Sequence, residues 1–239
     1  MKQRLFQELL HAAHQVYSST DALQQFAPWP SDLLYVDRPV QPVPAIRQIK
    51  KWSDAHPLHI ATQQVADFGN WKQTYTEHEV GFGFLQDYGY LELYGPNGHF
   101  QTDQGRAYVG YWGRGLYYPW HRHEAEEIYA VVSGSGYFES QGAEAALLKM
   151  GDTRMHNSNQ PHALTMTDGP ILTFVLWRGA GMAPIDGSYI ALVPLTTTDV
   201  WHGCRHYSHE LNVCVQWQFS HMQHGRSDML HIHHRLGTD

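Results

Sequence analysis

The sequence predicts a mainly β protein, a small antiparallel β-barrel or jelly roll preceded by an α-helical N-terminal extension. Three observations predict it. The first 27 residues place Leu5, Phe6, Leu9, Leu10, Ala13, Val16 and Tyr17 at helical spacing. A Pro-rich connector follows, with Pro28, Pro30, Pro39, Pro42 and Pro44. From about Gly81 the chain turns to short runs rich in Tyr, Val, Phe and Leu, broken about every eight to twelve residues by Gly, Pro-Asn-Gly or Gly-Asp.

Taken in order, the N-terminal amphipathic helix closes at Pro28 and Pro30, which cannot continue it. Ala45 to about Phe68 has a weaker helical pattern around Ile46, Ile49, Trp52 and Ile60. Residues 1–70 are therefore expected to form the extension and 71–239 the barrel domain. The extension is expected either to cap the barrel mouth as a lid or to supply a homodimer contact. Strands are expected at Tyr90–Tyr94, Ala107–Trp112, Glu126–Val132, Gly136–Ser140, Ala145–Met150, His162–Thr167 and Ile171–Trp177. Pro96-Asn97-Gly98, Ser133-Gly134-Ser135-Gly136 and Asp168-Gly169-Pro170 read as turns between them. Beyond Gly179 the pattern weakens, with candidate strands at Tyr189–Val193 and Leu211–Phe219.

Composition narrows the function. A chain of 239 residues with 42% hydrophobic residues can bury a core without a metal or disulfide staple, so a metal here is more readily functional than structural. A net charge of −7, with no basic run longer than Lys50-Lys51, argues against nucleic acid and anionic membrane surfaces. No apolar run approaches the roughly 18 residues of a membrane span. Cys204 and Cys214 cannot build a disulfide framework and read as buried thiols, so a reducing cytoplasm is the expected location. The 18 histidines, 12 of them from His121 onward, point to a metal, a pH response or an aromatic pocket when set beside 8 Trp and 14 Tyr. The terminal His231, His233 and His234 read as an exposed tail.

One constellation stands out: Gly115, five residues, His121, one residue, His123, three residues, Glu127, six residues, Gly134. On extended chain, residues two apart face the same way, so His121 and His123 project together, and Glu127 and Tyr129 repeat that parity on the next stretch. Glu124 and Glu126 have the opposite parity and are expected to face solvent. Two imidazoles and a carboxylate suit one divalent transition ion, with Fe, Mn, Ni, Co and Zn all admissible. A fourth ligand is expected from a facing strand, and GDTRMHNSNQPHAL offers His162. Within it, Gly151-Asp152 reads as a tight turn, Met155-His156 as strand, and Asn159 as a residue suited to a left-handed turn conformation.

The pair of motifs resembles the two signature motifs of the cupin superfamily, small β-barrels whose metal is held by two His and a Glu from the first motif and a His from the second. GLYYPWHRHEAEEIYAVVSG matches the first at every signature position, whereas in the second Asn157 and Asn159 stand where Pro and Gly are frequent. The run His121-Arg-His123-Glu-Ala-Glu-Glu127-Ile-Tyr129, with a Tyr two residues past the Glu, further resembles the cupin-type dimethylsulfoniopropionate (DMSP) lyases of marine bacteria. That resemblance spans about residues 80–180. It implies cleavage of a small sulfonium carboxylate to dimethyl sulfide and acrylate.

For that chemistry, a cation on the substrate carboxylate would stabilise the charge that develops as the adjacent proton leaves. Tyr129, on the ligand face, is the expected general base, as a tyrosinate favoured by the neighbouring cation. The sulfonium end has no hydrogen-bond donor and is recognised by aromatic faces. Tyr118, Trp120, Trp177, Tyr117 and Trp112 are the expected substrate-binding residues. A cupin sugar isomerase or an iron-dependent dioxygenase would use the same four ligands. The first should line its pocket with Lys, Glu and Gln, and the second would need oxygen. A non-enzymatic effector-binding cupin would normally accompany a DNA-binding helix-turn-helix, which this extension does not resemble.

Overall fold

The computed structural model describes residues 1–179 and three further short strands, Ile190–Leu192, Tyr207–Ser208 and Val213–Cys214. The expected mainly β architecture with a helical start is what the chain adopts. The N-terminal pattern forms two helices, α1 (Lys2–Ser18) and α2 (Asp21–Phe26), with Phe6, Leu9, Ala12 and Ala13 of α1 on the buried face. After β1 (Leu34–Tyr35), the weaker pattern also divides, into α3 (Ile46–Lys51) and α4 (Pro57–Val65). Pro57 explains the division: it fits the first position of a helix, where no N–H is needed, and not the interior. The His56 ring accepts the Leu58 N–H at 3.2 Å and caps α4. A short β2 (Trp71–Lys72) precedes α5 (Glu77–Val80) and α6 (Phe82–Gln86), which the sequence pattern did not suggest.

The barrel is built from β3 (Tyr88–Gly95), β4 (Phe100–Gln101), β5 (Arg106–Trp112), β6 (Tyr117–His123), β7 (Glu126–Ser140), β8 (Ala143–Lys149), β9 (Thr153–His156), β10 (His162–Arg178) and β11 (Ile190–Leu192). Strand order runs β1-β4-β3-β5-β10-β6-β11, while β7 pairs with β10, β8 and β9. Two expected turns are corrected. Ser133–Gly136 lies inside the continuous β7, and Asp168–Pro170 inside the continuous β10. They face one another where the β7–β10 register shifts between Met166 and Ile171, so the Gly and Pro residues mark a bend rather than a reversal. Gly134 is required there: its φ is +75°, and a Cβ would meet the Pro170 carbonyl oxygen at 1.9 Å.

The sheet has two buried faces. Leu91, Leu93, Val109, Ala130, Val132, Leu172, Phe174 and Leu176 point outward into a core shared with α1, α2, α3 and α4. Tyr88, Tyr90, Tyr108, Trp112, Tyr129, Val175 and Trp177 alternate with them and point inward. Residues 1–70 thus cover the outer face of the sheet, and β1 and β2 hydrogen-bond to β4 and β3. The inner chamber is closed instead by the segment around α5 and α6. Tyr75 donates to the Tyr118 hydroxyl at 3.1 Å, and Phe84 packs against Tyr88 and Tyr118.

The expected strand at Tyr189–Val193 corresponds to β11, which pairs with β6. Within the stretch Leu211–Phe219 only Val213–Cys214 (β13) is described, pairing with Tyr207–Ser208 (β12). Cys204, the Cys214 side chain and the three terminal histidines lie outside the described residues. No helix among the described residues is long and apolar enough to cross a membrane.

Candidate metal centre

Four side chains meet inside the barrel. His121 and His123 come from β6, Glu127 from β7 and His162 from β10, and one ligand atom of each lies within 4.8 Å of all the others. All four are buried. The first three arrive by the parity of extended chain. His162 arrives because the turn after β9 closes correctly: Asn159 takes a φ of +56°, and its N–H donates to the His123 carbonyl at 2.7 Å. Asn159 therefore does the job of a glycine here, and β10 begins with His162 paired to His121.

Each ligand histidine is oriented in the same way. The Nδ1 atoms of His121, His123 and His162 lie 2.8 Å from the carbonyls of Pro119, Ala125 and Gln160. A carbonyl only accepts, so each Nδ1 carries the proton and each Nε2 is left bare toward the centre. Among the described residues, Nε2 of His123 and of His162 has no hydrogen-bond partner. Yet His162 Nε2 lies 2.8 Å from Glu127 Oε1. Two buried lone pairs at that distance repel unless a cation lies beside them or the imidazole takes up a second proton. Three imidazole nitrogens and one carboxylate oxygen, with the imidazoles oriented by carbonyls, form a cluster that could hold a metal ion, and its donor types suit a divalent transition ion.

Electrostatics agree with a site built for cations. Burial, then the neighbouring His162 and His123, hold His121 well below the usual imidazole range. Burial opposes the charged form of Glu127, but His123 and His162 outweigh it and keep the carboxyl well below its ordinary value. Burial would lower His123 too, and there the Glu127 carboxylate wins and raises it. Tyr129 is pushed well above the ordinary phenol value, first by burial and then by Glu127. Without a bound cation it is a neutral phenol.

Glu127 is also held from both sides. Trp177 Nε1 donates to its Oε2 at 2.7 Å, and its ring stacks on His123 with centroids 4.4 Å apart. His156 Nδ1 lies 3.0 Å from Oε1, and its ring stacks on His162 with centroids 3.9 Å apart. The sequence pattern marked His156 only as a strand residue. What could have singled it out is register, since His156 pairs directly with Glu127 across β9 and β7.

Beside the centre lies a cavity of about 40 Å³, several times the roughly 10–15 Å³ that one water needs. Its lining includes Tyr88, Tyr90, Tyr108, Trp112, Tyr118 and Trp177, with Tyr129 and Glu127 at the metal end. Three of the expected aromatics, Trp112, Tyr118 and Trp177, are thus in the wall. Tyr117 and Trp120 are not in it and stand half-buried. The reason is a bulge in β6: His121 pairs with His162 and Tyr118 with Leu164, three residues against two. The extra residue breaks parity and turns Tyr118, in place of Tyr117, onto the His121 face with ring centroids 4.1 Å apart, while Trp120, next to His121, lies off that face by ordinary alternation. Tyr88, Tyr90 and Tyr108 were missed although they share parity with Trp112 across the β3–β5 pair, where Tyr88 faces Trp112. Glu126, expected in solvent, is half-buried and paired with Arg178 at 2.8 Å, while Glu124 is exposed.

Comparison with known proteins shows the family of the chain. The family model of dimethylsulfoniopropionate lyases matches residues 36–173. Dimethylsulfoniopropionate lyase DddQ of Ruegeria pomeroyi is 34% identical over 181 residues, which cover 73% of this chain and 89% of the relative. Among solved structures, one reported with the DMSP lyases RdDddP and RnDddQII superposes with a TM-score of 0.76 at 40% identity, covering 81% of this chain and all of that one. The DddQ structure from Ruegeria pomeroyi DSS-3 superposes with a TM-score of 0.71 at 30% identity, covering 80% of this chain and 96% of that one.

Proposed function

Because the chain belongs to the dimethylsulfoniopropionate lyase family and is a carbon–sulfur lyase, we propose that it cleaves dimethylsulfoniopropionate by β-elimination with Tyr129 as general base. The observation that carries this reading is a common wall: Glu127, a member of the four-residue cluster, and Tyr129 both line an inner chamber whose lining is otherwise mainly aromatic. His121, His123, Glu127 and His162 would hold one divalent transition ion. When bound, that ion supplies a Lewis-acidic centre for the substrate carboxylate and a positive charge that favours the tyrosinate.

The chain's own residues do the rest. Tyr129 Oη takes a proton from the carbon next to the carboxylate. The electron pair left behind forms the new C=C bond, the bond from the adjacent carbon to sulfur breaks, and dimethyl sulfide and acrylate result. Burial separates the phenol from bulk solvent, so a proton taken there does not exchange freely with it during the step. Tyr88, Tyr90, Tyr108, Trp112, Tyr118 and Trp177 offer ring faces to the sulfonium, each contact contributing about 0.5–2 kcal/mol. A sugar would find few charged or amide partners, because apart from the phenols and the indole N–H groups of Trp112 and Trp177 the polar side chains of this lining are Thr74 and Glu127.

The test is dimethyl sulfide release, by headspace gas chromatography, from metal-reconstituted protein given dimethylsulfoniopropionate. Release from wild type that is lost in His123→Ala is expected. A wild-type protein that carries one metal ion per chain and releases none would contradict the proposal.

A further inference from the structure

Glu127 is the middle residue of a cross-strand row. His156 pairs with it from β9 and Trp177 pairs with it from β10. Side chains directly opposite on neighbouring strands approach most closely, so both rings reach the carboxylate from the flanks. They use different oxygens, His156 at Oε1 and Trp177 at Oε2. Each ring also lies flat against a ligand histidine, His156 on His162 and Trp177 on His123. Oε1 is the oxygen nearest the ligand nitrogens, 2.8 Å from His162 Nε2 and 3.3 Å from His123 Nε2.

A carboxylate oxygen cannot donate, so the His156–Glu127 contact fixes the proton on His156 Nδ1. That leaves His156 Nε2 buried and, among the described residues, without a hydrogen-bond partner. Leaving a buried polar atom unpaired is costly, and burying an imidazole only to fill space would be poorer than burying a phenyl ring. What the imidazole adds over a phenyl ring is the one N–H aimed at Oε1. Together with the Trp177 Nε1–H at Oε2, that N–H sets the plane of the carboxylate and the position of Oε1.

We infer that His156 is a positioning residue of the metal centre, acting through Glu127: its Nδ1–H fixes Oε1 toward the three imidazole nitrogens. This rests on the reading of His121, His123, Glu127 and His162 as metal ligands. Loss of an outer-shell partner of this kind typically weakens metal binding about 10–100-fold.

The experiment compares His156→Phe, which keeps a stackable ring and removes the donor, with His156→Asn, which keeps a donor near the Nδ1 position and removes the ring. Affinity for Co²⁺ is measured by chelator competition, together with the visible spectrum of the bound ion and the melting temperature of the metal-free protein. His156→Leu serves as the donor-less variant if the Phe protein does not fold. Wild type binding one Co²⁺ per chain, the donor-less variant binding about 10–100-fold more weakly with an altered spectrum, and Asn recovering most of the loss is the expected pattern. Donor-less and wild-type proteins with equal affinity and superimposable spectra would overturn the inference while leaving the metal site standing. So would equal impairment of the donor-less and Asn variants. Failure of wild type to bind Co²⁺ would instead overturn the ligand assignment itself.

Discussion

The same strands present two faces of very different chemistry. Outward, β3, β5, β7 and β10 offer Leu91, Leu93, Val109, Ala130, Leu172, Phe174 and Leu176 to the helices. Inward, one residue along in each strand, they offer Tyr88, Tyr90, Tyr108, Trp112, Tyr129 and Trp177 to the metal centre. The outer face satisfies only packing. The inner face carries, among the described residues, Nε2 atoms of His123 and His162 and a Trp112 Nε1 without hydrogen-bond partners, and a chain of phenols held protonated by burial. Stability and chemistry are thus divided by strand parity, and substitutions one residue apart should have opposite profiles.

The largest expected effect is on the inner face. Glu127→Ala removes the carboxylate of the four-residue cluster and should lower lyase activity by about 10³-fold or more, the scale of losing a fixed electrostatic stabiliser. Measuring metal content and activity on the same samples checks this, and activity retained at full metal content would erase the division. Next, on the outer face, Phe174→Ala should destabilise the fold by about 3–5 kcal/mol, because a fully buried ring leaves a cavity under the helices. Urea unfolding reads the loss, and turnover per folded molecule below the unfolding range should stay within a few-fold of wild type.

A smaller effect sharpens the inner face further. Trp112→Leu keeps an apolar wall and removes one ring face, so KM for the sulfonium substrate should rise about 2- to 30-fold, corresponding to 0.5–2 kcal/mol, with kcat changing less. An unchanged KM would remove Trp112 from sulfonium recognition. The smallest effect returns to the packing side. His99 is fully buried, stacks on Phe6 with centroids 3.8 Å apart, and is pushed down to about 3, chiefly by burial and then by Lys2 and Arg38. The unfolded chain takes up that proton near pH 6.5 and the folded chain does not, so between these values the unfolded state binds more protons. The contribution of His99 is present above about pH 6.5 and is lost as pH falls toward 3. Urea midpoints of metal-free protein between pH 7.5 and 4.5 should therefore fall more steeply for wild type than for His99→Gln.

How much of this could be read in advance followed from which signals are local. The four-residue cluster was legible because His121, His123 and Glu127 are close in the chain and strand parity alone converges them. His162 needed one more inference, a left-handed Asn159, which the turn adopts. The aromatic wall was only half legible, because proximity to His121 in sequence favoured Tyr117 and Trp120. Alternation alone turns Trp120 away from the His121 face, and a bulge in β6 puts Tyr118 there in place of Tyr117; no spacing reveals a bulge. Tyr88, Tyr90 and Tyr108 obey simple alternation, but which strands face the metal is a matter of sheet order. For the same reason the breakers at Ser133–Gly136 and Asp168–Pro170 read as turns. Gly and Pro mark a change of direction, and only the partner strand decides whether the chain reverses or bends. His156 carried no motif at all, since its place beside Glu127 is set by cross-strand register.

The account depends most on a phenol that the fold by itself keeps neutral serving as the base once the centre is loaded. Tyr129→Phe removes one hydroxyl and no ring, so packing against Phe138 and Trp112 is retained. The measurement is dimethyl sulfide release by this variant and by wild type at matched, stoichiometric metal content. The account predicts a loss of about 10²-fold or more, the usual scale for removing a general base. Release within a few-fold of wild type would contradict it and assign the proton transfer to another group.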